Sequence, residues 1–270
     1  MRLSRSGPNA GANYSLEAAM KRHLKSALTG ALLASAAASA FSSETTVHWS
    51  YQGKTDPTHW AEGMPENAAC RSGRQQSPIA LSETSAKRVA SKDFTIDYEP
   101  GSVALLNNGH TIQANVDDAN DTVNYKGEAY KLDQFHFHTP SEHTLDGKSY
   151  PMELHLVNKG SNGKITVVGI FIKEGKENPA LQPVFADLPA TQTSSGRHAQ
   201  VDIAALLPSD KKALVYSGSL TTPPCSELVN WIVLEQPVEM SRQQISAFKA
   251  IFRDNHRPLQ KLNHREVGEE

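Results

Sequence analysis

Long apolar stretches and extended basic runs are missing from this chain, and each absence removes a class of function. A mean hydropathy of -0.47 with charges spread throughout excludes a protein of many membrane spans. Lys and Arg number 27 against 29 Asp and Glu, a formal charge of -2, so the electrostatic footprint of a nucleic-acid binder is absent. Proline, glycine and serine are scattered and nowhere condense into a linker, and no internal repeat occurs. One domain over residues 41–270 accounts for the organisation. Cysteine is scarce: Cys70 and Cys225 are the only two. Amphipathic helical periodicity is also thin, which turns the reading toward strands.

The first forty residues read as a targeting segment. "MKRHLKSALTGALLASAAASA" opens at Met20 with Lys21, Arg22 and Lys25. It continues as an Ala/Leu run and closes on Ala38-Ser39-Ala40, the small-residue pattern of a cleavage site. The apolar part is too short and too alanine-rich for a membrane span. The expectation is translation from Met20, with residues 1–19 a further extension, and a mature chain starting at Phe41 in the periplasm. Such a chain keeps 22 Lys and Arg against 28 Asp and Glu, near -6. In an exported protein a lone cysteine pair reads as a disulfide, two buried thiols being the alternative.

Short alternating or apolar runs dominate the remainder: "DFTIDY", "SVALLNN", "TIQANV", "TVNYKG", "QFHFH", "MELHLV", "KITVVGIFIK", "ALVYSGSL" and "VNWIVLEQPV". Gly, Pro and Asn-Asp signals bound them, as strands require. Helices are expected at "NPALQPVFADL" and at "SRQQISAFKAIF" behind an N-cap Ser241, with a helical turn in "VDIAALLP". The fold class is mainly β with peripheral helices.

Four of the eleven histidines fall between positions 136 and 155. On a strand the period of two puts Gln134, His136 and His138 on one face and Phe135 and Phe137 on the other. "ELHL" behaves alike, with Glu153 and His155 sharing a face. The turn-rich "TPSEHTLDGKSYP" between them allows an antiparallel return, so three imidazoles converge across two strands. Gln134 and Glu153, each two positions before a histidine, are placed to accept the rings' remaining N–H groups. Three nitrogen ligands with a fourth position open describe a catalytic zinc centre rather than a structural one.

At this point the sequence resembles an α-class carbonic anhydrase of the bacterial, exported kind. The resemblance is carried by "HWSY", "RQQSPI", "NNGH", "QFHFHTPSEHTLDG", "MELHLV", "VVGIF", "GSLTTPPCSE", "VNWIVLEQPV" and "NHRPLQ" in that order. It implies a large, mostly antiparallel ten-stranded twisted sheet with Zn2+ held by His136, His138 and His155. It further implies hydration of carbon dioxide to bicarbonate by a zinc-bound hydroxide, whose pKa the metal brings toward neutrality. Thr221 matches the threonine that accepts from that hydroxide and donates to Glu142, and Thr222 sits where bicarbonate is contacted. Val157, Val167, Leu220 and Trp231 match the apolar pocket for carbon dioxide. His110 matches the proton shuttle, working near the ordinary imidazole pKa of about 6.5, with Tyr51, Asn108 and Gln113 ordering the water path. His143 matches a packing partner rather than a ligand. Cys70 and Cys225 match the disulfide of exported members, bracing the loop that carries Thr221. Inhibition by sulfonamides and small anions and a homodimer follow from the same resemblance.

Two other readings compete. "HFHTPSE" satisfies the H-x-H-x3-E core of a cupin, a jelly-roll metal protein. Tyr130 stands where that pattern wants glycine, however, and the second block is missing. A non-catalytic, carbonic-anhydrase-like binding protein would share the fold but lose a ligand histidine, whereas all three are present here.

Overall fold

The alternating runs assemble into one large sheet. A computed structural model describes residues 48–270 apart from 90–92, 118–119, 162 and 194–195. The extension and targeting segment expected over residues 1–40 lie outside the described residues. Ten longer strands follow in order: β1 (Phe94–Asp97), β2 (Pro100–Asn107), β3 (Ile112–Val116), β4 (Thr122–Tyr125), β5 (Glu128–His138), β6 (Met152–Gly160), β7 (Ile165–Glu174), β8 (Arg197–Asp202), β9 (Ala213–Ser219) and β10 (Glu227–Met240). Hydrogen bonding orders them β8-β2-β3-β5-β6-β7-β10-β9, and the two-residue strands Gly268–Glu269 and Lys87–Arg88 extend that edge. The continuous path therefore has ten strands. β4 joins β5 beside this path and carries β1, bringing the sheet to twelve. Neighbours are antiparallel except β7 beside β10 and the two short terminal strands.

The register of β5 against β6 shifts between Leu132 and Gln134. A bulge there inverts the parity of the strand. Tyr130 and Leu132 before it, and Phe135 and Phe137 after it, all enter the same core. Without the bulge, strict alternation would turn Tyr130 and Leu132 toward the histidine face. β6 adds Met152, Leu154 and Leu156 to that core, which α1 (Gln182–Phe185) and α2 (Arg242–Ile251) cover from outside through Val184, Ile245 and Phe248. A second apolar cluster lies on the opposite face of β6, β7, β9 and β10, including Val157, Val167, Phe171, Tyr216 and Trp231.

The helix expected behind Ser241 forms, and a capping box closes its start. The Ser241 hydroxyl accepts from the Gln244 N–H, and the Gln244 side chain accepts from the Ser241 N–H. The helix expected over residues 178–188 contracts to the four residues of α1. Pro183, second in the helix, has no N–H to bond backward and its ring disfavours a helical turn before it, so the helix starts no earlier than Gln182. β8 was not anticipated: of its six residues only Ala199 and Val201 are buried, too weak an alternation to stand out. Among the described residues no helix is long and apolar enough to cross a membrane.

One residue after Glu227, Leu228 has φ +69° and is 72 % exposed. A Cβ in the left-handed region costs about 1–2 kcal/mol, and this side chain recovers little by packing. Leu228→Gly relieves that strain while adding freedom to the unfolded chain. The net expectation is stabilisation by about 0.5–1 kcal/mol, read by urea denaturation. Destabilisation would show that the side chain makes a contact of value.

Candidate metal centre

β5 and β6 place the histidines opposite one another. His136 pairs directly with His155 across the ladder, and His138 pairs with Glu153. Ring centroids lie 5.0 Å apart for His136–His138, 5.4 Å for His136–His155 and 4.6 Å for His138–His155. One nitrogen from each ring lies within 4.8 Å of the others, a grouping able to hold a metal ion.

Each outer nitrogen has its own acceptor. His136 Nδ1 donates to Gln134 Oε1 at 2.8 Å, His138 Nδ1 to the Asn255 carbonyl at 2.7 Å, and His155 Nε2 to Glu153 Oε1 at 2.8 Å. These bonds fix the tautomers and leave Nε2 of His136, Nε2 of His138 and Nδ1 of His155 for a metal. His138 Nε2 is buried without a hydrogen-bond partner, an arrangement that costs free energy unless a ligand atom is meant to occupy it. Burial lowers the pKa of His138 and, helped by the neighbouring rings, pushes that of His136 well down. Neutral rings are the form a metal binds. An all-nitrogen set of three, two of them 1 % exposed, fits zinc.

Glu142 and His143 come from the loop after β5 rather than from a continued strand. Glu142 Oε1 accepts the Arg257 N–H at 2.8 Å, while Oε2 is buried with no hydrogen-bond partner, 3.5 Å from His138 Nε2. His143 is fully enclosed. Its N–H and Nδ1 both donate to Glu153, at 2.9 and 2.7 Å, and its Nε2 meets the Tyr216 hydroxyl at 2.7 Å. Glu153 thus serves His143 and His155 at once. Burial alone would raise its pKa, but the two histidines hold it well below the carboxylate range.

A cavity of about 350 Å³ opens beside the rings. His136 and His155 line it together with Val157, Val167, Leu220, Thr221, Thr222, Trp231 and Gln113, and the ring of Trp231 packs edge-on to His155 at 4.9 Å. Polar ring nitrogens and an apolar wall drawn from the second core therefore share one opening.

His110 lies against the N-terminal segment, outside that lining. Trp49 stacks on it at 3.5 Å, and His48 at 4.8 Å. Burial, helped by the charge of His48, holds the imidazole at about 4, below the value near 6.5 that a plain shuttle would show. Asn108 shapes the turn, accepting the N–H groups of His110 and Thr111 and donating to Gln113. Tyr51 packs edge-on to Trp60 and His110, and burial keeps its hydroxyl protonated far into the alkaline range. Because the fold favours neutral His110, its stabilising contribution is complete above about 6.5 and is lost as pH falls toward 4. Trp49→Ala removes the covering ring, so the His110 pKa should rise toward about 6.5 in an NMR titration. A value still near 4 would place the cause elsewhere.

Asn255, Arg257 and Gln76 belong to the site's supports, and the sequence offered no role for them. "RQQSPI" and "NHRPLQ" were visible as motifs, but their partners lie more than a hundred positions away.

The chain matches the family model described as "Eukaryotic-type carbonic anhydrase" over residues 55–270. It is 41 % identical over 244 residues to a carbonic anhydrase of Pectobacterium carotovorum, covering 90 % of this chain and 98 % of that one. A carbonic anhydrase of a Nostoc strain is 44 % identical, covering 83 % and 86 % of the two chains. Among solved structures, the α-carbonic anhydrase of Thermovibrio ammonificans in complex with the inhibitor sulfanilamide superposes with a TM-score of 0.79. It is 44 % identical, covering 82 % of this chain and 98 % of that one.

Proposed function

Since the chain belongs to the α, or eukaryotic-type, carbonic anhydrase family, we propose that it interconverts carbon dioxide and bicarbonate at a zinc ion held by His136, His138 and His155. The observation that carries this reading is the set of three convergent rings, each with its outer N–H committed and its inner nitrogen left for a metal. When bound there, zinc supplies the Lewis acidity that draws a nucleophile from water near neutral pH.

The remaining work falls to the chain itself. Val157, Val167, Leu220 and Trp231 form a dry wall for a substrate with little hydrogen-bonding demand. The resemblance pairs the Thr221 hydroxyl with Glu142, whose Oε2 has no hydrogen-bond partner and can accept it. A threonine that donates there can only accept from a ligand, so ligands bearing a proton are favoured and protonless anions are disfavoured. Thr222 borders the same cavity and contacts the bicarbonate product. The resemblance assigns His110 to pass the released proton to buffer, with Asn108, Gln113 and Tyr51 shaping the path, although a pKa of about 4 makes it a weaker acceptor than an ordinary imidazole. His110→Ala should slow turnover chiefly at low buffer concentration, and an unchanged buffer dependence would remove it from the path. The chain is further assigned to the exported bacterial kind, acting in the periplasm. The leader-like sequence of residues 20–40 and the Cys70–Cys225 disulfide support this.

Sulfanilamide tests the site directly. Calorimetric titration of the zinc-loaded chain should show one site per chain, lost on chelation and regained with zinc. A chain that holds stoichiometric zinc and ignores sulfanilamide would reject the reading.

A further inference from the structure

Arg257 is 1 % exposed, an unusual place for a guanidinium. Among the described residues it forms no ion pair. Its Nη1 donates to Gln76 Oε1 and to the Ser77 carbonyl, both at 2.8 Å, and its Nη2 donates to the Cys70 carbonyl at 2.9 Å. The guanidinium carbon lies 5.7 Å from the Trp60 ring. Gln76, the side chain that grips Nη1, donates at 3.1 Å to the carbonyl of Cys225. The guanidinium is thus tied directly to one half of the disulfide and, through Gln76, to the other. The same residue's main-chain N–H donates to Glu142 Oε1 at 2.8 Å. That bond leaves Oε2 as the free, buried oxygen of the carboxylate. A buried cation is expensive to keep.

We propose that Arg257 is a positioning residue. Its clamped guanidinium fixes the main-chain N–H that orients Glu142, and thereby sets how strictly Thr221 rejects ligands that carry no proton. This inference rests on the carbonic anhydrase reading. With Glu142 held, its unpartnered Oε2 stays fixed as an acceptor for the Thr221 hydroxyl, which then offers only lone pairs to the cavity. With Glu142 loosened, the Thr221 hydroxyl can rotate and donate to an incoming ligand. The penalty on protonless anions then fades, and sulfonamides, whose bound nitrogen brings a proton, lose their advantage.

The test compares thiocyanate, which has no proton at neutral pH, with sulfanilamide, on zinc-loaded wild type, Arg257→Gln and Gln76→Ala. Zinc content is measured in each. The readout is the ratio of the thiocyanate Kd to the sulfanilamide Kd. It should fall roughly tenfold in Arg257→Gln and less, in the same direction, in Gln76→Ala, with one zinc per chain retained. A purely structural role would weaken both ligands alike and leave the ratio fixed, which overturns the proposal. Should Arg257→Gln fail to fold, Gln76→Ala decides alone: a fall in the ratio supports the proposal and an unchanged ratio overturns it. Wild type that holds zinc but does not bind sulfanilamide is a different failure. It removes the functional reading first, and this inference with it.

Discussion

His155→Ala should lose zinc and carbon dioxide hydration together, while His143→Ala should keep its metal. The comparison is informative because both rings donate to the same oxygen, Glu153 Oε1, at 2.8 and 2.7 Å. Proximity, burial and carboxylate partner are matched, so only the direction of the remaining nitrogen differs. His155 Nδ1 belongs to the group that includes His136 and His138, whereas His143 Nε2 is bonded to the Tyr216 hydroxyl. Removing an outer-shell partner costs roughly 10–100-fold in metal affinity, and removing a ligand costs more. His155→Ala should therefore weaken zinc by well over a hundredfold in a chelator competition. His143→Ala should retain stoichiometric zinc but lose ~3 kcal/mol of stability, because a fully buried ring is removed and Glu153 and Tyr216 each lose one of their buried partners. Zinc lost equally from both variants would mean that the fold, rather than ligation, decides metal content.

Removing the disulfide should have the largest effect on stability. Cys70 and Cys225 are bonded across 155 positions, closing most of the sheet's sequence into one loop. Constraining so long a loop in the unfolded chain stabilises by about 5 kcal/mol in the chain-entropy model, and residual structure in the unfolded state lowers the figure. Cys70→Ser combined with Cys225→Ser should therefore lose about 3–5 kcal/mol by guanidinium denaturation. A loss under about 1 kcal/mol would show that the unfolded chain is already compact across this span. The effect should be the same with and without zinc, since neither cysteine belongs to the group of residues able to hold a metal.

Much of the fold was legible because local pattern and tertiary role agree. "QFHFH" and "MELHLV" alternate, and the structure sends Phe135, Phe137, Met152, Leu154 and Leu156 into one core. Ser241 announces a helix start that forms as read. The bulge at Asp133 was not legible, because it depends on which neighbour β5 finds, and no local signal marks a change of parity. β8 was missed for want of apolar residues. The histidine centre could be read because its members sit two apart on two strands. Its supports could not: Asn255 meets His138, and Arg257 meets Glu142, across 117 and 115 positions. The surroundings of His110 were hidden likewise. Nothing in "NNGH" shows that Trp49 will cover the ring and hold its pKa near 4 rather than 6.5.

The central claim is that the three convergent histidines hold a zinc on which hydration of carbon dioxide depends. The most direct measurement is stopped-flow carbon dioxide hydration by the chain as isolated, after chelation, and after zinc is restored. The account predicts fast hydration that disappears with the metal and returns with it. A chain carrying one zinc per molecule that hydrates carbon dioxide no faster than buffer would contradict it.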